Sequence, residues 1–143
     1  MKTKNIKQSL TIKAPAAKVY DAFMSEKEHQ EFTGLPAVID HKVGGKFVTC
    51  GTLNFGYTLY LEPGKRIIQA WSHGNFPDNQ YSVIDIELTE TKKGSTKLLF
   101  RQLGAPEKCV KWLAPGWEET YWKPLRKYLE KGVVRKLKEK KPK

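Results

Sequence analysis

The stretch Gly116–Glu130 carries large apolar side chains at helical spacing, and this pattern constrains the fold more than any other in the chain. Four of these side chains follow one another at steps of four, four and three residues, on one helix face: Trp117, Tyr121, Leu125 and Tyr128. Trp122 and Leu129 widen that face. Burial of one aromatic ring removes roughly 150–250 Å² from water, worth about 4–6 kcal/mol. A large apolar surface must therefore lie opposite the helix.

Pro124 falls inside this predicted helix. A proline in a helix interior costs about 3 kcal/mol, which is less than the burial of a single aromatic ring contributes. We therefore expect the helix to tolerate Pro124 as a kink. Such a kink would keep the helix from lying flat on its cover and would leave room beneath Trp117, Tyr121 and Leu125.

The residues before this helix supply the cover as strands. Alternation of apolar and polar side chains, or short apolar runs, predict seven strands at about residues 5–13, 37–41, 46–50, 57–61, 66–72, 81–90 and 96–103. Gly51 and Gly56 are expected to interrupt the chain before the fourth strand. Pro63 and Gly64 fit the centre of a type II turn after it. Strands joined by such short connections must pair antiparallel.

Two short helices are predicted between the first and second strands. Pro15 suits the opening of the first, and Ser25 and Glu28 have capping-box spacing at the start of the second. A loop carrying Pro106 and Pro115 is expected to lead to the long helix. The prediction is an α+β helix grip, in which a curved antiparallel sheet of about seven strands surrounds the C-terminal helix.

The net charge of +11 is concentrated at the end of the chain. Residues 131–143 hold seven Lys or Arg and one Glu, a net charge of +6. We expect a single domain at residues 1–131 and a basic, flexible tail at residues 132–143. The tail could dock on nucleic acid, on an acidic membrane or on an acidic protein. A basic patch interleaved with exposed aromatics is not evident, which argues against nucleic acid as a partner.

Five short sequence motifs, taken in their order along the chain, resemble those of one family. They are Ala14–Phe23 (APAAKVYDAF), Val43–Phe47 (VGGKF), Leu61–Trp71 (LEPGKRIIQAW), Tyr81 with Ser82, and Gly116–Leu129 (GWEETYWKPLRKYL). Together they resemble the homologues of the activator of heat-shock protein 90 ATPase, in the START-like, birch-pollen-allergen-like superfamily. The resemblance spans residue 5 to about 131. It implies a helix-grip fold with a cavity between the sheet and the long helix.

The resemblance also implies candidate functions. The superfamily includes lipid carriers, small-molecule receptors and cyclases, so the fold alone does not choose among them. The eukaryotic activator has a separate N-terminal domain that makes much of its chaperone contact. Here we expect the fold to begin within a few residues of Met1, without that domain.

The predicted cavity is walled by inward side chains of the first helix, the sheet and the long helix. These side chains are Phe23, Trp71, Ser82, Ile84, Phe100, Gln102, Trp117, Tyr121 and Leu125. Each could equally be ordinary core. Ser82 and Gln102 stand on otherwise apolar strand faces, and a buried polar group needs a partner, which a ligand or water could supply. The loop at residues 74–79 presents Phe76, expected to be exposed, as a gate or partner contact.

Catalytic patterns are weak. His29 is expected to be exposed, whereas His41 follows Asp40 and His73 lies near Asp78, pairs that could do acid–base work. The inward strand faces carry no carboxylate. No nucleophile motif, phosphate loop or metal-ligand spacing is present, so neither a cofactor nor a metal is expected.

These observations order the functional hypotheses. The first is a non-enzymatic binding protein with an internal cavity for a small apolar or amphipathic ligand. The alternatives are a chaperone-associated stress-response protein that binds heat-shock protein 90, and a small cyclase- or hydrolase-like enzyme. No apolar run approaches the 18 residues of a membrane span, and the two cysteines lie far apart. We expect a cytoplasmic protein; a homodimer is possible, and the pattern does not decide the oligomeric state.

Overall fold

A seven-stranded antiparallel sheet organises the computed structural model, which describes residues 2–137. Its strands are β1 (Thr3–Ile12), β2 (Val38–Ile39), β3 (Lys46–Thr49), β4 (Asn54–Glu62), β5 (Arg66–His73), β6 (Ser82–Glu90) and β7 (Thr96–Pro106). They lie in the order β1-β7-β6-β5-β4-β3-β2. Strands that follow one another in the chain are therefore adjacent in the sheet, except β1 and β2, and β1 pairs with β7 instead. The predicted α+β helix grip is confirmed.

Two short helices follow β1, as predicted. They are α1 (Ala16–Met24) and α2 (Glu26–Thr33). The hydroxyl of Ser25 accepts a hydrogen bond from the backbone N–H of Glu28 at 3.2 Å, which caps the start of α2. Gly34 ends α2 in the left-handed conformation, with φ of +73°.

The long helix runs from Glu107 to Lys131 and begins earlier than predicted. It comprises a 3₁₀ turn (Glu107–Cys109), α3 (Val110–Trp117), a π-helical segment (Glu118–Trp122) and α4 (Lys123–Lys131). Pro115 therefore lies inside α3, and its placement in a loop was wrong. Burial of Leu113 and Trp117 on the same helix face outweighs the proline penalty.

The expected distortion at Pro124 takes a specific form. Pro124 has no N–H to give to the carbonyl of Thr120, and its ring crowds that carbonyl. The π-helical segment immediately before it widens one turn, and Pro124 then sits in the first turn of α4. This widened turn brings the neighbouring rings of Tyr121 and Trp122 into the core together.

The core lies between the concave face of the sheet and the helices. It contains Ile67, Ile84, Ile86, Leu98 and Phe100 from the strands and Trp117, Trp122 and Leu125 from the long helix. Trp122, Phe100 and Leu125 are fully buried.

Gly56 lies within β4, so its expected role as an interruption was wrong. A Cβ at this position would stand 1.9 Å from the carbonyl oxygen of Ala70 and 3.0 Å from the ring of Phe47. Glycine is needed here because the backbone of β5 approaches too closely for any side chain.

The convex face of the sheet carries a charged ladder opposite the core. Asp85 receives two hydrogen bonds from the Arg66 guanidinium, at 3.0 and 2.8 Å, and Glu87 receives one from Arg101 at 2.9 Å. Neither carboxylate faces the core, as expected from the absence of carboxylates on the predicted inward strand faces, and both are held in these pairs.

The end of the described chain returns to the helices. The backbone N–H of Arg135 donates to the carbonyl of Glu31 at 2.7 Å, and that of Val133 donates to Lys127 at 3.3 Å. The predicted flexible tail at residues 132–143 falls partly outside the described residues, since residues 138–143 are not among them. Within residues 2–137, no helix is long and apolar enough to cross a membrane.

Candidate functional site

A cleft of about 170 Å³ lies between one end of the sheet and the long helix. Its sheet side is formed by Cys50, Leu53, Asn54, Trp71 and His73, and its helix side by Trp112, Leu113, Gly116, Trp117, Thr120 and Tyr121. Leu35, just after α2, completes the wall. The lining residues of the helix recur at steps of three and four, so they lie on a single helix face, and this face supplies half of the cleft lining.

Five of the twelve residues that line the cleft are aromatic, counting the imidazole of His73. The ring centroids of Trp71 and Trp117 lie 5.3 Å apart, and those of His73 and Trp112 lie 4.7 Å apart. Trp71 and Trp117 are each 3% exposed, whereas Trp112 and His73 are half-buried nearer the surface. The deep wall is thus fixed by packing, and the outer wall faces water.

The hydroxyl of Tyr121 organises a polar cluster at the base of the cleft. It lies 2.9 Å from His29 Nε2, 3.2 Å from Thr49 Oγ1, 3.4 Å from Asn54 Nδ2 and 3.5 Å from Cys50 Sγ. His29 Nδ1 stands 2.8 Å from the carbonyl oxygen of Phe23, which can only accept, so the proton is on Nδ1. Nε2 therefore accepts from Tyr121.

Burial keeps the titratable groups of this cluster uncharged near neutral pH. It lowers the pKa of His29 to about 4, and the hydrogen bond to Phe23 offsets only part of this effect. Burial also raises the pKa of the Tyr121 hydroxyl and of the Cys50 thiol. The base of the cleft consequently offers neutral hydrogen-bonding groups.

Three of the predicted cavity residues line the cleft: Trp71, Trp117 and Tyr121. Phe23 lines a second, much smaller cavity of about 10 Å³, which Trp71 and Tyr121 also border. Ile84, Phe100 and Leu125 are core residues that line neither space. Contact of any of them with a ligand stays a prediction.

The two polar residues predicted on the inner face, Ser82 and Gln102, find their partners within the protein. The indole N–H of Trp117 donates to Gln102 Oε1, Gln102 Nε2 donates to the Ser82 hydroxyl, and that hydroxyl donates to the carbonyl of Trp71, each at 2.9 Å. These three hydrogen bonds connect Trp117 to the strand that carries Trp71. Ser82 and Gln102 thus stand behind the aromatic wall.

The expected exposure of His29 and Phe76 was wrong. His29 is 1% exposed, because it shares the inward face of α2 with Phe32 and Thr33. Phe76 is 7% exposed and packs against Trp71, with ring centroids 5.7 Å apart. A gating role for its loop stays a prediction.

The histidines proposed for acid–base work have other partners. The Nε2 atom of His41 lies 3.2 Å from the hydroxyl of Tyr20, and His73 Nδ1 accepts from the backbone N–H of Asn75 at 3.0 Å. Burial lowers the pKa of His73. Within residues 2–137, His, Cys, Asp and Glu form no group of three or more that could hold a metal.

Sequence reasoning missed much of the cleft. Trp112 and Leu113 were assigned to a loop, although Leu113, Trp117 and Tyr121 recur every four residues and could have extended the helix backward. Cys50 was predicted at the end of a strand, and Asn54 lay in the following stretch, which was treated as broken by Gly51 and Gly56. No local pattern predicts their approach to Tyr121, because it depends on the pairing of β3, β4 and β5.

Comparisons with known proteins agree with this architecture. Residues 13–130 match the family described as Activator of Hsp90 ATPase homolog 1-like protein. The Homo sapiens protein named Activator of 90 kDa heat shock protein ATPase homolog 1 is 26% identical over 115 residues, which are 80% of this chain and 34% of the human protein. The chain thus spans about a third of the length of the curated relatives it matches.

Solved structures with the same fold include two whose names also refer to an HSP90 activator or to Aha1. An HSP90 activator from Plasmodium falciparum has a TM-score of 0.79 at 20% identity, covering 91% of this chain and 96% of that one. The Aha1 dimer from Colwellia psychrerythraea has a TM-score of 0.70 at 19% identity, covering 90% of this chain and 98% of that one. At these identities the structures support the fold alone.

Proposed function

Because the chain belongs to the family of Activator of Hsp90 ATPase homolog 1-like proteins, we propose a function that rests on its helix grip: a non-enzymatic binding protein that holds a small apolar or amphipathic ligand. The observation that carries this proposal is the cleft, which combines apolar aromatic walls with a few uncharged polar groups. That combination is typical of sites for small molecules.

The walls of the cleft support binding because they are held in place without a ligand. Trp117 is fixed through Gln102 and Ser82, and Tyr121 is fixed through His29. A preformed wall spares the ligand the cost of ordering side chains on binding. We therefore propose that Trp71, Trp117 and Tyr121 contact the ligand directly, and that Ser82 and Gln102 position Trp71 and Trp117.

The test is a thermal-shift and native mass spectrometry screen of the whole chain against a library of fatty acids and small aromatic compounds. We expect at least one compound to raise the melting temperature. Thr120→Trp, which places a large side chain on the cleft wall, should abolish the shift. Lys123→Trp is the matched control, because Lys123 is on the same helix but exposed. A library without any binder would overturn the proposal.

A second candidate function is association with heat-shock protein 90, which the names of the relatives favour. The net charge of +11 would strengthen contact with an acidic partner at low ionic strength. A pull-down with heat-shock protein 90 at about 20 mM and at about 300 mM salt tests this, with light scattering to determine whether the chain is a homodimer. Absence of binding at low salt would contradict it.

The basic segment gives this second candidate an internal control. We propose that residues 1–131 form the ligand-binding domain and that residues 132–143 form a separable basic tail, in a cytoplasmic protein. Deletion of residues 132–143 should weaken a charge-driven chaperone contact and leave ligand binding in the cleft unchanged. Equal loss of both would contradict the division.

A further inference from the structure

The size of the cleft limits what it can hold. A cavity of about 150 Å³ lined by apolar side chains is enough for benzene, whereas drug-sized ligands occupy roughly 300–1,000 Å³. The cleft measures about 170 Å³. It therefore has room for one aromatic ring with a short substituent.

The walls of the cleft favour a flat ring over a flexible chain. Four aromatic rings and one imidazole border the space: Trp71, Trp112, Trp117, Tyr121 and His73. Aromatic rings attract one another in offset or edge-to-face pairs at centroid distances of about 4.5–7 Å. A planar ring between Trp71 and Trp112 could make such pairs, whereas an alkyl chain could not.

The cleft presents hydrogen-bond donors that lack acceptors. The indole N–H groups of Trp117 and Trp122 donate to Gln102 and Gln8, at 2.9 and 2.7 Å. Within residues 2–137, by contrast, the indole N–H of Trp71 has no hydrogen-bond acceptor. Trp71 is only 3% exposed, its indole nitrogen is not sealed from open space, and its side chain borders both the cleft and the smaller cavity.

His73 adds a second donor on the same wall. Its Nδ1 atom accepts from Asn75, which leaves the proton of the neutral ring on Nε2. Across the described residues, Nε2 of His73 has no hydrogen-bond partner. The wall formed by Trp71 and His73 thus offers two donors, and a ligand that contacts this wall gains a hydrogen bond there only if it brings an acceptor.

The charge of the lining determines which kind of acceptor fits. Asp, Glu, Lys and Arg are all absent from the described residues that line the cleft. A carboxylate would lose water there without gaining a cationic partner, and that desolvation is costly. A carbonyl group accepts a hydrogen bond without carrying a charge.

We infer that the cleft binds an uncharged, planar molecule of one aromatic ring, whose carbonyl oxygen accepts a hydrogen bond from the indole N–H of Trp71. This inference rests on the proposed function and adds to it the chemical class of the ligand.

Four probes of similar size test each part of the inference on the whole chain by NMR titration. They are acetophenone, ethylbenzene (no acceptor), benzoate (a charged acceptor) and octan-2-one (an acceptor without a ring). We expect acetophenone to bind most tightly. Equal binding of acetophenone and ethylbenzene would overturn the need for an acceptor. Binding of benzoate more tightly than acetophenone would overturn the preference for an uncharged ligand. Binding of octan-2-one more tightly than acetophenone would overturn the preference for an aromatic ring. Each of these results leaves the proposed function standing. Binding of no probe would overturn the inference, and the library screen would then decide the proposed function.

A variant assigns the acceptor contact to Trp71. Trp71→Phe keeps a ring but removes the N–H, so we expect the affinity for acetophenone to fall about fivefold to tenfold and that for ethylbenzene to change less than about twofold. Trp122→Phe is the control, because it loses an N–H bonded outside the cleft; both affinities should persist. An unchanged acetophenone affinity in Trp71→Phe would overturn the assignment. The probe series in the unaltered chain remains decisive if Trp71→Phe does not fold.

Discussion

At the scale of single residues, Tyr121 stands out because its hydroxyl contacts four other side chains of the site. It lies on the long helix and connects, through its hydroxyl, to α2 by His29, to β3 by Thr49 and to β4 by Asn54. Its ring also packs against Trp117, with centroids 4.8 Å apart. One residue therefore joins the helix to the sheet and forms part of the cleft floor.

Replacement of Tyr121 by Phe should destabilise the fold. The substitution keeps the ring and leaves the buried Nε2 of His29 without its donor, which costs about 1–3 kcal/mol of the free energy of unfolding. Urea denaturation measures this. Tyr60→Phe is the control, since among the described residues the Tyr60 hydroxyl hydrogen-bonds only to the half-buried Glu62. Equal stability of Tyr121→Phe and the unaltered chain would contradict the assigned hydrogen bond.

His29 should make the stability depend on pH. Its pKa is about 4 in the folded chain and about 6.5 when unfolded, so between these values the unfolded chain binds a proton that the folded chain does not. The free energy of unfolding should therefore fall by about 3 kcal/mol as the pH decreases from about 6.5 to about 4, and the contribution should level off below about 4.

Denaturation of His29→Gln across this range isolates the effect, because the carboxylates titrate in both proteins. The difference between the two stability curves should shrink as the pH falls. His41→Gln, which removes an exposed histidine, should parallel the unaltered chain. A constant difference between the His29→Gln and unaltered curves would contradict a neutral, buried His29.

These residues differ in how far the sequence predicts them. Trp117 and Tyr121 follow from helical spacing, because their environment is set by their own helix. His29 was misassigned because a lone histidine among the charges of α2 resembles a solvated one. Asn54 gives no signal, since its contact with Tyr121 spans 67 residues and depends on strand pairing.

At the scale of elements, two glycines have opposite roles. Gly56 in β4 lies against the backbone of β5, where even a methyl group would clash with Ala70. Gly116 in α3 has nothing within 4 Å of an added Cβ, and its conformation is helical. The strand pair thus requires a glycine, whereas the helix only tolerates one, at a point that lines the cleft.

Alanine at each position tests this contrast by thermal or urea denaturation. Gly56→Ala should lower the free energy of unfolding by about 2–4 kcal/mol, because the strands must separate. Gly116→Ala should raise it by about 0.5–1 kcal/mol, because alanine favours the helix. The added methyl group should also weaken ligand binding in the cleft. Destabilisation by Gly116→Ala, or tolerance of Gly56→Ala, would contradict the packing.

Element order was predictable, whereas element boundaries were less so. Alternation in β6 and β7 reflects one buried face and one more exposed face, and the capping residues of α2 act locally. Pro115 misled the start of the long helix because tertiary burial outweighs its intrinsic penalty. The π-helical segment has no signature beyond the proline that follows it.

At the scale of the whole molecule, the sheet and the long helix enclose a core at one end and leave the cleft at the other. Ile84, Phe100 and Leu125 fill the first region, and Trp71 and Trp112 border the second. The fold follows from the amphipathic pattern of the long helix, since its apolar face needs a curved sheet to cover it. The division between filled core and open cleft was not predictable, because it depends on how side chains from distant strands fill the same volume.

Intermolecular NOE measurements with acetophenone test whether the cleft holds a small ligand. We predict NOEs from the ligand ring to the side chains of Trp71, Trp117 and Tyr121, and their loss in Thr120→Trp. NOEs confined to residues outside the cleft, or their persistence in Thr120→Trp, would contradict ligand binding in the cleft.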